Sequence, residues 1–160
     1  MLKELESIVS KLNEAYGQLN RVLDSMTEEQ AAQTLVTPEW SVKDEVAHLA
    51  GATRGMFGIA QRSSKGENPK LPEGYNNDTF NARQVAKRKE QTLAQIRAEL
   101  GVTVAELQTF LNSITPEQLD LQGQHPLFGE TKLKDLLVII YNHEIQHCNE
   151  IAAAMRASKK

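Results

Sequence analysis

Apolar residues recur at steps of three and four along this chain, and that spacing restricts its fold more than any other feature. Leu2, Leu5, Ile8, Leu12, Ala15, Leu19, Val22 and Met26 fall on one face of a 3.6-residue helix. A strand would need them at every second position. Three later stretches repeat the pattern: from Val42 through Leu49, Thr53 and Phe57; from Phe80 through Val85, Thr92, Ile96, Leu100, Leu107 and Ile114; and from Leu133 through Leu137, Ile140, Ile151 and Met155. No stretch alternates with period two, so the chain reads as all-α.

Punctuation between the stripes sets the helix ends. Thr27 with Gln30 three residues on spells a capping box and predicts a short helical turn after helix one, which ends near Met26. Pro38 breaks the chain. Ser41 caps helix two, with Asp44 and Glu45 in its first turn, where the helix dipole favours negative charge. Trp40, just before the cap, is expected as a buried anchor against the stem of Glu45 or Val46. Helix two runs to about Arg62.

Residues 63–77 carry two prolines, two glycines and several Ser and Asn, a loop long enough to be mobile or to lid a site. Helix three is read as one long helix from an Asp78 cap to Ile114, tolerating Gly101. The mixed charges from Arg83 to Glu90 read as its solvated face; Asn81 and Arg83 lie near its start, where Arg83 could meet an anion. Thr115-Pro116 opens another short turn. A loop with Gly123, His125, Pro126 and Gly129 follows, and His125, held extended by the next proline, is expected to be exposed. Thr131 is read as the cap of helix four. Four long helices with short extra turns predict a four-helix bundle, one domain over residues 1–160.

The stripe of helix four is interrupted by His143 and His147. Residues four apart leave an α-helix on the same face, one turn above the other, so the two rings can share one divalent ion. Taken alone, the pair suits ordinary core or surface histidines equally well. A third ligand from another helix would complete three protein ligands and leave an open position, as in catalytic zinc sites. The candidate is His48 in helix two, on a line with Ala52 and Gly55, small residues that let another helix come close. Glu45, one turn before it, either holds the other nitrogen of that ring or is a solvated first-turn carboxylate.

His143-Glu144-Ile145-Gln146-His147 also spells HExxH, the zinc-protease motif with Glu144 as general base. Proteases of that type take a third ligand downstream, and only thirteen residues follow His147, without the GxxH continuation. Glu144 stands about 100° around the helix from His143, either incidental or close enough to support a ligand. Cys148 is offset by the same angle from His147, which argues against a Cys-His nucleophile and for a small buried residue.

Composition narrows the partners. With 18 Lys and Arg against 21 Asp and Glu, mixed along the chain, and 5% aromatics, there is neither a basic stripe nor a stacking platform, so no nucleic-acid partner is expected. One cysteine gives no disulfide framework. The amphipathic N-terminus lacks an apolar signal core, and no run approaches a membrane span. The expectation is a cytoplasmic protein that neither enters nor crosses a membrane.

Trp40-Ser41-Val42-Lys43-Asp44-Glu45-Val46-Ala47-His48-Leu49, Asp78-Thr79-Phe80-Asn81-Ala82-Arg83 and Asn142-His143-Glu144-Ile145-Gln146-His147 together resemble the DinB/YfiT-like superfamily, which includes thiol-dependent maleylpyruvate isomerases and bacillithiol transferases. The resemblance spans nearly the whole chain in order and spacing. It implies a four-helix bundle with a three-histidine divalent-metal site at His48, His143 and His147, frequent dimers, and a metal that activates a low-molecular-weight thiol or a water. Three neutral imidazoles would leave the ion its full charge and lower the pKa of a bound water toward roughly 7, or deprotonate a thiol. The expected function is therefore a metal-dependent thiol S-transferase, isomerase or hydrolase acting on a small molecule. Zinc or nickel ranks ahead of iron or manganese, and a homodimer is expected. The alternatives are a bundle that sequesters a small molecule or thiol without turnover, and a structural dimer with vestigial histidines.

Overall fold

The computed structural model of the chain describes residues 1–158. Its four long helices are α1 (Lys3–Asp24), α3 (Val42–Ser63), α5 (Leu93–Ser113) and α6 (Leu133–Ala157). Two shorter helices, α2 (Glu28–Gln33) and α4 (Asn77–Lys87), a 3₁₀ turn at Pro116–Asp120, and the strands β1 (Gln122–His125) and β2 (Gly129–Lys132) connect them.

The caps form where the sequence spells them. Thr27 and Gln30 exchange side-chain to backbone hydrogen bonds at the start of α2, and Ser41 and Asp44 do so at the start of α3. Each cap satisfies backbone N–H groups that a helix start otherwise leaves unpaired, typically worth about 1 kcal/mol.

The stripes close around one core. α1 lies along α6, α6 along α3 and α3 along α5. Leu5, Leu12, Leu19 and Leu23 of α1, Ile96, Leu107 and Leu111 of α5, and Leu133, Leu137, Ile140 and Ile151 of α6 are all buried there. α3 has neighbours on several sides, and every residue from Glu45 to Thr53 is buried. A polar side chain on that segment is therefore committed to the interior. α4 packs against α3 at Gly51, where an added Cβ would lie 2.5 Å from Gln84 Cγ.

Several sequence expectations are corrected. The stretch read as one long third helix is two helices, broken at residues 88–92, because Thr92 and Gln95 form a capping box that restarts the chain as α5. Asn76 rather than Asp78 caps α4, accepting from the Thr79 N–H at 2.8 Å. Thr131 does not cap α6: it lies in β2, and its hydroxyl donates to the Gly129 carbonyl. The Gly123–Gly129 segment expected as a loop is an antiparallel hairpin pairing Gln122 with Lys132 and His125 with Gly129. It turns through Gly129 at φ 71°, which glycine adopts without strain.

Candidate metal centre

His48 comes from the buried face of α3, and His143 and His147 from successive turns of α6, which packs against it. The Nε2 atoms of His48 and His143 lie 3.2 Å apart. Ring centroids stand 4.8 Å apart for His48 and His147 and 4.4 Å for His143 and His147. One ligand atom from each ring falls within 4.8 Å of the others. Two nitrogens on one tetrahedral ion at 2.0–2.1 Å would be separated by about 3.3–3.4 Å, close to the spacing of this pair. The donor set fits a divalent ion, and unlike three apolar side chains it leaves ring nitrogens that need a partner.

Carboxylates stand behind two of the rings. Glu144, fully buried, places Oε1 3.3 Å from His143 Nδ1. With that nitrogen turned to the carboxylate, Nε2 is left to the cluster. Glu144 is itself gripped: the Tyr16 hydroxyl donates to Oε2 at 2.6 Å, and Thr53 Oγ1 lies 2.7 Å from Oε1. Burial, then the charge and hydrogen bond of Glu144, push the Tyr16 hydroxyl well above its ordinary pKa of 10.

Glu45 is 1% exposed, so the reading of a solvated carboxylate is corrected. Nor does it hold His48: its Oε1 meets Nδ1 of His147 across the α3–α6 interface, and Glu150 Oε2 stands 3.1 Å from the same nitrogen. These are ion-pair contacts not aligned along the N–H direction. Burial alone would lower the His147 pKa; Glu45, followed by Glu150 and Glu144, outweighs it and raises the value. Among the described residues no carboxylate meets His48. Burial and the two neighbouring imidazoles bring its pKa down to about 3, so its ring is neutral at pH 7. Among the described residues its buried Nδ1 finds no hydrogen-bond partner, and its ring lies 5.0 Å from the half-buried ring of Trp40, which is less buried than the anchor expected.

Cys148 is completely buried beside the cluster. Burial and the charge of Glu144 push its thiol up to about 12, in keeping with a packing residue.

The cluster opens on a cavity of about 210 Å³. His48 and His143 reach it from the bundle, Met56 and Ile59 from α3, Phe80 and Asn81 from α4, and Leu71 and Tyr75 from the 64–76 loop. That loop covers the site: the Leu71 N–H donates to Gln124 Oε1 of the hairpin at 2.9 Å. Arg83 is exposed and is not part of the wall. His125, expected in solvent, is 6% exposed and lines the cavity, because the hairpin that sequence reading missed folds it inward. The Tyr16 and Thr53 contacts were also missed. Thr53 reads as an ordinary stripe position and Tyr16 lies outside the helix-one stripe, and only the chain crossing brings them to Glu144.

Four long helices, with a cluster of three imidazoles that could hold a metal ion and two of them, His48 and His143, reaching an apolar cavity, define a helical-bundle protein. The chain belongs to the DinB superfamily, whose sequence pattern matches residues 11–151. Comparison with curated proteins yields no match. Among solved structures, YfiT from Bacillus subtilis, described as a probable metal-dependent hydrolase with an unusual four-helix bundle topology, superposes with a TM-score of 0.82 at 21% identity, covering 99% of this chain and 90% of that one. A mycothiol-dependent maleylpyruvate isomerase gives 0.78 at 12% identity over 92% of this chain, which spans 60% of the isomerase. The colibactin self-resistance protein ClbS, solved in complex with a dsDNA, gives 0.74 at 16% identity, covering 97% of this chain and 95% of ClbS. At these identities the likeness is one of fold. No helix among the described residues is long and apolar enough to cross a membrane.

Proposed function

We propose that residues 1–160 act as a single domain, a metal-dependent enzyme in which His48, His143 and His147 hold one divalent ion, zinc or nickel ahead of iron or manganese, and a small molecule reacts in the adjoining cavity. The observation that carries this reading is the 3.2 Å approach of His48 Nε2 to His143 Nε2, with His147 beside them, at the wall of a cavity. An ion on three neutral imidazoles keeps its charge and supplies Lewis acidity and a nucleophile derived from water or a thiol. The chain's own residues orient that centre: Glu144 holds His143, Glu45 holds His147, and the covering loop limits water. The reaction classes are hydrolysis, or thiol transfer or isomerisation with a low-molecular-weight thiol. YfiT, described as a probable metal-dependent hydrolase, favours the first and the thiol-dependent isomerase the second.

The same reading takes the protein as a cytoplasmic homodimer with no nucleic-acid partner. Its net charge of -3 supports the last point, against the dsDNA bound by ClbS. Elemental analysis of protein purified without a nickel column should find one ion per chain, lost in His48→Ala. Absence of any ion, with zinc and nickel titrations giving no binding that His48→Ala removes, overturns the metal reading. Multiple turnovers on a hydrolase and thiol-transfer panel separate an enzyme from a sequestering bundle, which would show only stoichiometric uptake.

A further inference from the structure

Resting on the reading that the cavity beside the imidazoles is where the small molecule sits, we propose that its ligand is uncharged and mostly apolar, about one ring with a carbonyl-type oxygen, and that His125 meets that oxygen through its Nε2–H.

The tautomer of His125 is set by the backbone. Its Nδ1 accepts from the N–H groups of Leu127 at 3.1 Å and Phe128 at 3.3 Å, the turn of the β1–β2 hairpin. A ring nitrogen that accepts two N–H groups turns its lone pair to them and cannot carry a proton. The neutral ring is therefore protonated on Nε2. The ring is stacked on Phe128 at 4.9 Å between centroids, which fixes its plane. Burial, and to a lesser degree His143, lower its pKa, which favours the neutral ring. Among the described residues no acceptor meets Nε2, although the ring is 6% exposed and lines the cavity. By contrast, the Tyr75 hydroxyl is already directed at Asn77 Oδ1, 3.3 Å away.

The rest of the wall sets the ligand class. Ala52, Met56, Ile59, Leu71, Phe80 and Leu127 supply apolar surface, and among the described residues no Lys, Arg, Asp or Glu reaches it. Away from the imidazole end, where the proposed ion would sit, and everywhere in the metal-free protein, a carboxylate would lose its hydration without gaining an ion partner. A cavity of roughly 150 Å³ holds a benzene. At about 210 Å³, this one has room for a ring and a short polar substituent.

Benzamide and benzoate have the same shape and differ in charge, and titrating both into metal-free protein tests the class without depending on the metal. Benzamide should shift the methyl resonances of Ile59 and Leu71 saturably, and benzoate should bind at least about tenfold more weakly. His125→Asn keeps a side-chain oxygen near the place of Nδ1 for the two turn amides and removes the Nε2–H; it should weaken benzamide about fivefold with the melting temperature unchanged. Long-range 1H–15N correlation on the wild type should show His125 as the neutral Nε2–H tautomer. Failure of benzamide to bind, benzoate binding as tightly, a proton on Nδ1, or undiminished benzamide binding by His125→Asn would each overturn the proposal. Zinc binding lost in His48→Ala is scored separately: benzamide binding without zinc binding sinks the metal reading alone, and zinc binding without benzamide binding sinks this one alone.

Discussion

The Tyr16 hydroxyl donates to Glu144 Oε2 at 2.6 Å, joining α1 to the carboxylate that stands behind His143. A helix that contributes no imidazole thus helps fix a ring of the cluster. Tyr16→Phe keeps the ring's packing and removes one donor from a fully buried carboxylate. It should cost about 1.5–3 kcal/mol of stability, the range for hydrogen bonds to charged groups. Zinc affinity should fall by about tenfold, as when the partner of a ligand's support is lost. Urea unfolding and zinc titration check the two effects; an unchanged affinity would confine Tyr16 to packing.

His48 lies on α3 and the other two rings on α6, so an ion held by all three clamps these helices together in the folded state only. At a free ion concentration 100-fold above its Kd, such binding adds about 2.7 kcal/mol to the unfolding free energy. The melting temperature of zinc-loaded wild type should drop on adding a chelator. His48→Ala should melt at the same temperature with and without it. Scanning calorimetry reads both, and an equal chelator response in the two proteins would remove His48 from the ligand set.

How much of this was legible in the sequence follows from which contacts are local. The helical class, the α2 and α3 caps and the His143–His147 pair all rest on spacings of three and four, which a helix converts directly into geometry. Thr92 with Gln95 is equally local, but Thr92 also falls on the apolar stripe of the helix-three reading, which hides the break before α5. The hairpin was missed because Gln122-Gly123-Gln124-His125 has no apolar alternation; its strands are short and lean on α3 and α6. His125 was misplaced with it. Glu45 and Tyr16 show the other limit. Both needed the pairing of distant helices, and on its own helix Glu45 looked like any carboxylate at an N-terminus.

Glu45 is nearly inaccessible and its contact is His147, so its charge serves that ring. Glu45→Gln keeps the shape and removes the group that, against the opposing effect of burial, does most to raise the His147 pKa. The pKa of His147 should fall, as followed by its ring-proton shifts in metal-free protein. Zinc affinity should drop by about 10- to 100-fold through the weakened ligand. A His147 titration unmoved by the substitution would mean that Glu150 supplies the charge.

Cys148 tests whether the interior beside the cluster is closed. With the side chain fully buried and the thiol pushed up to about 12, the thiolate is scarce at neutral pH and out of reach of solvent. Native protein should react with a disulfide reagent only at the rate at which it unfolds, and urea-unfolded protein at once. Rapid modification of the native form would show that α6 opens locally.

Arg88 is the buried cation at the break between α4 and α5, 3% exposed and forked onto Glu99 at 2.9 and 2.5 Å. It also donates to the Gln84 side chain and carbonyl at 3.0 Å each, and Gln84 is the residue packed on Gly51. The pair therefore fastens the α4–α5 turn, and with it the helix that brings Phe80 and Asn81 to the cavity wall. The hydrogen bond from Arg88 holds Glu99 below the ordinary carboxylate value of 4.5. A carboxyl whose folded pKa is depressed adds stability that is fully present above its unfolded pKa and disappears as the pH falls through the folded one. Urea midpoints should be flat from pH 7 down to about 5 as far as this pair is concerned, then decline below about 4.5. Glu99→Gln should lose about 1–3 kcal/mol at pH 7 by leaving a buried guanidinium short of its counter-charge, and should show a shallower decline in acid. Equal acid slopes for the two proteins would place the acid sensitivity elsewhere and reduce Arg88 to its contacts with Gln84.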